Sequence, residues 1–550
     1  MEFLLGSSQG GYYLGSQDKT SYQGLTIFKD WELIKLVDEI KVNDEVLRVE
    51  EKDFNSYDKI NKDSEEKFYY DSSNDFVYEL KGDKKLTLFL DCRKIHDYDD
   101  KGRIYHVEKI DEGIRVSYKK YEDNNLKDLM YTVDFVIVTK NKFEIKDEWV
   151  EKNYWYDKKR NTKSNLYVYK SLIFEGRNIK LKFKAIPRKN PINKNLKKND
   201  DYYNALKKLT INQEVKGILA GYPWFYQLWA RDELISLKPY IMNKEFSFAK
   251  SVLKRHLNNI NEEGMVSNRY PSSILGSIDS TGWLSKRIRD YYQIKKISSS
   301  DKKEIKEIYQ KLAKAEKKLR LNRMREGMIY NHALETWMDT GKEESVRKGF
   351  RVEIQFLYYE LLETLNYLGE IIKEDKKYDT DSFKKIIRHN FLTREGLIDG
   401  IANEKDYTKR PNVFLAYYIN KSLLTKKEWE LTFDKVIEEC WLPWGGLSSI
   451  SKKNRHYTKQ YTGMDNKSYH HGDSWYYINN IAGITLTDLN KKKYKKYIKK
   501  IYDASVKDYK TGLINNCSEI SSSNERTSEG CLAQAWSAST LYELNNIHNF

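Results

Sequence analysis

Cysteine is scarce in this sequence. Only four occur in 550 residues, Cys92, Cys440, Cys517 and Cys531, and no two stand as Cys-x-x-Cys. That argues against a disulfide framework and against a zinc site of thiolates. The nine histidines are scattered rather than set at ligand spacing, so no metal and no cofactor is expected. Absent too are a G-x-x-x-x-G-K-[ST] phosphate loop, a G-x-G-x-x-G turn after a strand and an H-E-x-x-H helix. This argues against nucleotide, dinucleotide and zinc-peptidase chemistry. No run of about 18 uncharged apolar residues occurs, so neither a spanning helix nor a membrane partner is expected. Met1-Glu2-Phe3-Leu4-Leu5-Gly6 has neither the basic start nor the apolar stretch of a secretory signal. A reducing cytoplasm is the expected location.

Charge is abundant, at 32% of residues with a net +16. The lysine runs, such as Lys491-Lys492-Lys493 and Lys197-Lys198, are dispersed among acids along the whole chain. They read as solvated faces, and no nucleic-acid partner is expected.

Residues 1–186 read as an all-β sandwich. Apolar and polar residues alternate through Lys85-Leu86-Thr87-Leu88-Phe89-Leu90, Ile114-Arg115-Val116-Ser117-Tyr118 and 131–138, and through shorter runs at 166–169 and 179–183. Polar clusters at Lys81-Gly82-Asp83 and 121–125 read as turns between strands. Residues 187–200 hold Pro187 and Pro191 in a polar, basic stretch and read as a linker. From there the period changes to three and four. Residues 201–550 carry roughly twelve helical stretches by this pattern, among them 244–258, 301–320, 351–373, 426–440, 471–489 and 530–545. A β domain followed by paired helices points to an all-α (α/α)6 barrel, a six-hairpin toroid.

Four segments of the helical part are dense in aromatic rings and carboxylates. They are 220–233, Glu335-Thr336-Trp337-Met338-Asp339, Tyr469-His470-His471-Gly472-Asp473-Ser474-Trp475, and Asn516-Cys517-Ser518-Glu519 with 530–537. Each sits near the end of an expected helix, and in a toroid such loops gather at one rim. Any one of them is explained as well by packing or by helix capping. Together they suit a sugar, whose C–H face packs on indole rings while its hydroxyls need fixed charged partners. Glycoside hydrolysis needs two carboxyl groups across the scissile bond. The acid must hold its proton near neutral pH, and burial against a ring such as Trp337 raises a carboxyl pKa.

At these residues the chain resembles the glycogen debranching enzyme, amylo-α-1,6-glucosidase family, of archaeal and bacterial type. The matching residues are Gly221-Tyr222-Pro223-Trp224-Phe225 with Trp229-Ala230-Arg231-Asp232, Thr336-Trp337-Met338-Asp339 and Val352-Glu353-Ile354. They continue with Arg410-Pro411-Asn412, Tyr469 through Trp475, Ser518-Glu519 and Gly530 through Ser537. The resemblance implies a β-sandwich followed by the barrel. It also implies an inverting hydrolase that removes α-1,6-linked glucose from glycogen or another branched α-glucan. By motif, Asp339 is the general acid and Glu519 the general base. Trp224, Arg231, Asp232, Asp279, Trp337, Glu353, His470, Trp475 and Trp536 are the implied substrate-binding residues. It does not extend to the transferase barrel of eukaryotic debranching enzymes, so only the glucosidase step is expected.

Two departures from the family pattern add acids: Glu233 follows Arg231-Asp232 where threonine is usual, and Asp473 lies in the Tyr469–Trp475 motif. Both are expected near the substrate. Two other readings stay open: another inverting barrel enzyme, glucoamylase-like or trehalase-like, and a non-catalytic glycan- or nucleic-acid-binding protein.

Overall fold

A computed structural model describes residues 2–53, 55–185, 201–212, 214–271, 273, 276–339, 347–463 and 465–547. The linker expected at 187–200 lies outside the described residues. The chain divides into two compact units, Met1–Val215 with Leu513–Asn515, and Lys216–Gly512 with Asn516–Phe550.

The first unit is an antiparallel β-sandwich. Its two longest strands, Phe76–Lys94 and Asn165–Lys184, pair from Phe76↔Phe183 to Tyr169↔Leu90. Leu86, Leu88 and Leu90 alternate inward and are fully buried, with Val116, Tyr118, Leu172 and Phe174 in the same core. That alternation is what makes these runs strands rather than helices. The turn expected at Lys81-Gly82-Asp83 is not one. The chain passes through these residues as strand, with Gly82 at φ +127°. Opposite them, the register of the partner strand shifts between Gly176 and Asn178. Glycine tolerates this φ, so the ladder bends without breaking. In the same unit Asp18, Asp38 and Glu39 bring one oxygen each within 4.8 Å of one another, the spacing of a cation site. The Lys152 ammonium already lies among them, 2.9 Å from Asp18, 3.0 Å from Asp38 and 2.5 Å from Glu39. These carboxylates are therefore satisfied by a side chain.

The second unit is helical. Among the described residues its helices of seven or more residues are α1 (Ala230–Ser236), α2 (Phe246–Asn258), α3 (Ile278–Ile294), α4 (Asp301–Arg323), α5 (Val352–Ile372), α6 (Thr380–Phe391), α7 (Asn412–Ile419), α8 (Lys426–Cys440), α9 (Tyr476–Thr511) and α10 (Ala535–Ile547). Burial sorts them into two layers. The first ten residues of α5 are all buried, as expected of a helix packed on every side. In contrast, α4 buries one stripe, Ile305, Ile308, Tyr309, Leu312, Ala315 and Leu319, and faces solvent elsewhere. The inner helices close a ring: α1 packs on α3, α3 on α5, α5 on α7, α7 on α9, α9 on α10 and α10 on α1. A Cβ at Gly282 would stand 2.4 Å from Leu357 Cβ, so glycine is what lets α3 and α5 approach so closely. Helix α9 breaks at Asn490, with φ −164° and ψ 79°. Its first half is buried almost throughout, and its second half buries one stripe. No helix among the described residues is long and apolar enough to cross a membrane.

Candidate active site

Short paired segments lead into five of the six inner helices. Leu228–Trp229, Gly276–Ser277, Phe350–Arg351, Ser474–Trp475 and Ala533–Gln534 each hydrogen-bond to another two-residue strand, and α1, α3, α5, α9 and α10 begin at once after them. These ladders fix where each first helical turn lies. That turn carries Arg231 and Asp232 on α1, Asp279 on α3, Glu353 on α5, Asn412 on α7, Tyr477 on α9 and Trp536 on α10.

Asp339 follows the buried Trp337 and Met338, and its side chain is 42% exposed. One of its oxygens lies 3.6 Å from Arg231 Nη1 and the other 3.8 Å from His470 Nε2. The surrounding protein disfavours charge on Asp339. The neighbouring His470 ring and the charge of Arg231 outweigh that and hold its carboxyl below the ordinary aspartate range. The expectation that burial beside Trp337 would raise this pKa is thus reversed, because Arg231 and His470 more than offset the cost of burial.

Glu519 is buried. Tyr469 Oη donates to its Oε1 at 2.5 Å and the Cys531 backbone N–H to its Oε2 at 2.8 Å. Asp232 connects the two acids electrostatically. Its carboxyl is pushed up to about 8, first by burial and then by the negative charges of Glu519 and Asp339, against the pull of Arg231. Gln534 Nε2 donates to Asp232 Oδ1 at 3.0 Å. The pH–rate profile is therefore expected to fall on its alkaline side near 8, as Asp232 loses its proton. Asp232→Asn should remove that limb, and an alkaline limb unchanged in the variant would assign it to another group.

The aromatic walls form one cluster. His470 stacks on Trp475 with centroids 5.0 Å apart and rings 2° from parallel, and Trp337 sets its edge against His470, Trp475 and Tyr477. Trp536 stacks on Tyr477 at 4.2 Å. Trp224 is half-buried on the segment before Leu228–Trp229. Asn412 Oδ1 accepts from Trp337 Nε1 at 2.9 Å, and Arg410 donates to the His470 carbonyl at 3.1 Å. The Arg410-Pro411-Asn412 motif thus holds two walls in place.

Other acids stand behind the cluster. Asp279 accepts from Arg231 Nε at 2.5 Å and from the Ser277 hydroxyl, so it aims Arg231. Glu353 accepts from Arg347 on both oxygens, and Arg347 also bonds Asp399 and Thr336. Glu353 therefore supports the loop that carries Trp337.

Glu233 and Asp473, expected near the substrate, are both fully buried. Glu233 accepts from Arg255 at 2.6 Å, from His256 at 2.8 Å and from the Ile218 N–H at 2.9 Å. Burial opposes its charge, yet Arg255 and His256 draw its pKa down to about 2. Asp473 accepts from the Ser468 hydroxyl at 2.7 Å, and its own N–H donates to the Ser468 carbonyl. It ties its loop together. Helix α1 turns Glu233 away from its neighbour Asp232, which sequence adjacency conceals.

Sequence reasoning missed Tyr469 and Gln534 as partners of Glu519 and Asp232, although both lie inside the motifs it singled out. Arg347 and Asp399 lie in no such motif, and no local signal marks them.

The model of a protein family described as amylo-alpha-1,6-glucosidase matches residues 188–543. Comparison with curated proteins gave no match. Among solved structures, a bacterial glucoamylase complexed with acarbose superposes with a TM-score of 0.64 at 12% identity, covering 99% of this chain and 93% of that one. A GH63 mannosylglycerate hydrolase from Thermus thermophilus, in complex with Tris and D-glycerate, aligns with a TM-score of 0.45 at 12% identity, over 62% of this chain and 98% of that one. The first likeness is one of fold: a β-sandwich joined to an (α/α)6 barrel.

Proposed function

The chain belongs to the amylo-alpha-1,6-glucosidase family and is a glycoside hydrolase, and we propose on that premise that it removes single α-1,6-linked glucose residues from a branched α-glucan with inversion. Asp339 is the general acid and Glu519 the general base. The observation that carries the reading is the pairing of a water-exposed Asp339 beside Arg231 and His470 with a buried, doubly hydrogen-bonded Glu519, both coupled to Asp232.

In this reading the terminal glucose lies among Trp337, Trp475 and His470, and Arg231 and Asp232 take its hydroxyls. The sugar displaces water from the exposed Asp339 carboxyl. Desolvation favours the protonated form, so Asp339 takes up a proton as the substrate enters and delivers it to the leaving oxygen. Tyr469 and the Cys531 N–H orient Glu519, which removes a proton from the attacking water on the other face of the ring. An inverting pair stands about 6.5–9.5 Å apart to admit that water.

Two measurements test the proposal. NMR of the first turnovers on an α-1,6-linked substrate should show β-glucose, and α-glucose as the first product would refute inversion. A panel of isomaltose, maltose, trehalose and a dextrin trimmed to single-glucose branches should favour the trimmed dextrin. Faster attack on maltose or trehalose, or release of maltotriose from branched glucan, would move the enzyme to another specificity.

A further inference from the structure

A second cavity, of about 520 Å³, lies at the other end of the helical ring. The catalytic cluster occupies the first turns of the inner helices, whereas this cavity is walled from the middle of α3 and α5, from α9 before its break, and from the last turns of α7 and α10. Lys286 on α3 stands two turns, about 10 Å, beyond Asp279. Tyr417 and Tyr418 from α7 line the cavity with it, and Ile419, Ile484 and Ile547 add apolar wall.

The charges around this cavity are matched in all but one case among the described residues. Arg289 pairs with Glu360 at 2.5 Å and with Glu363 at 3.8 Å, and Lys421 with Asp488 at 2.7 Å. Lys286 has no carboxylate oxygen within 4.0 Å among the described residues. Asp290 and Glu360 act on it electrostatically, but they make their direct ion pairs with other groups. Asp290 is held by Arg287 at 2.5 Å and Lys238 at 3.1 Å, and Glu360 also accepts from Asn420 at 2.7 Å. The Lys286 ammonium lies over the face of Tyr418, 5.6 Å from Nζ to the ring centre. An ammonium partly removed from water without a direct ion pair is costly. Burial lowers the pKa of Lys286 accordingly, with Arg287 and Lys238 adding to the effect.

We propose that this cavity is a second binding site, for a small organic oxyanion whose phosphate or carboxylate pairs with Lys286 while its body rests on the rings of Tyr417 and Tyr418. Such a ligand supplies the direct ion pair that Lys286 lacks and meets Arg289 and Lys421 on the same wall. The inference is independent of the bond that the enzyme cleaves.

Pyridoxal 5′-phosphate tests it on the whole protein, since this probe carries both an aldehyde and a phosphate. The lysine nitrogen attacks the aldehyde carbon, water leaves, and borohydride reduces the imine to a stable amine that peptide mapping locates. Lys286 should be labelled faster than exposed lysines near neutral pH, because its lowered pKa leaves more of the amine free. Inorganic phosphate or acetate should slow that labelling selectively, and the more effective of the two identifies the oxyanion. Labelling of Lys286 no faster than that of exposed lysines, or undiminished by either anion, overturns the proposal. Lys286→Met provides a second measurement. It should retain hydrolysis but lose the rise in melting temperature that the protecting anion produces in the parent protein. A rise that survives in the variant also overturns the site.

Discussion

Asp339→Asn and Glu519→Gln should each lower kcat on an α-1,6-linked glucoside by about 10²–10⁴-fold. The first leaves the departing oxygen without a proton. The second leaves the attacking water without a base. Affinity should change little, because Arg231, Asp232 and the Trp walls remain, so the loss should appear in kcat rather than in KM. The two variants should separate on α-glucosyl fluoride. Fluoride departs with little acid assistance, so this substrate should partly rescue Asp339→Asn but not Glu519→Gln. Near-normal activity of either variant on the glucoside would end the assignment of that residue. Asp232 would then be the first acid to test. It belongs to the same cluster and keeps its proton up to about 8, whereas Glu233 and Asp473 are tied into the protein.

Glu233→Ala should instead cost stability, by about 3–5 kcal/mol, the usual penalty for breaking a buried charge pair. The loss strands Arg255, His256 and the Ile218 N–H around a fully buried position. Acid should act in the same direction. The folded pKa of Glu233, about 2, lies below the unfolded value of about 4.3. Its contribution is therefore complete above that unfolded value and disappears as pH falls toward 2. The difference corresponds to about 3 kcal/mol, in line with the mutational figure. Denaturant titrations at neutral pH and through the acid range would measure both. The folded variant should hydrolyse substrate at the parent rate. A Glu233→Ala protein of unchanged stability and lost activity would return this residue to the substrate site.

The two acids that depart from the family pattern show where reading stops at the sequence. The resemblance implies that Asp232 binds substrate, and Glu233, adjacent to it, is expected near the same pocket. The helix turns them to different surroundings, one facing Gln534, the other Arg255 and His256. The Lys81-Gly82-Asp83 segment is a smaller instance. Its residues suit a turn, yet the strand runs on through it, and pairing with Asn165–Lys184 resumes at Lys84 beyond the shift in register.

Patterns local to the chain determined a good part of this protein. Alternation marked the strands around Leu88, Val116 and Phe135 because burial on one face of a sheet repeats every second residue. Spacing of three and four marked helices such as α4 and α8, because burial on one face of a helix repeats at that period. Motif content brought Arg231, Trp337, Asp339, His470 and Glu519 into one candidate site. The tertiary structure alone decided the electrostatics of that site. The pKa of Asp232 depends on Glu519 and Asp339, that of Asp339 on His470 and Arg231, and the orientation of Glu519 on Tyr469. Coulombic and hydrogen-bond energies depend on distance in space, and these partners are far apart along the chain. They meet only because the inner helices close a ring with their first turns at one end.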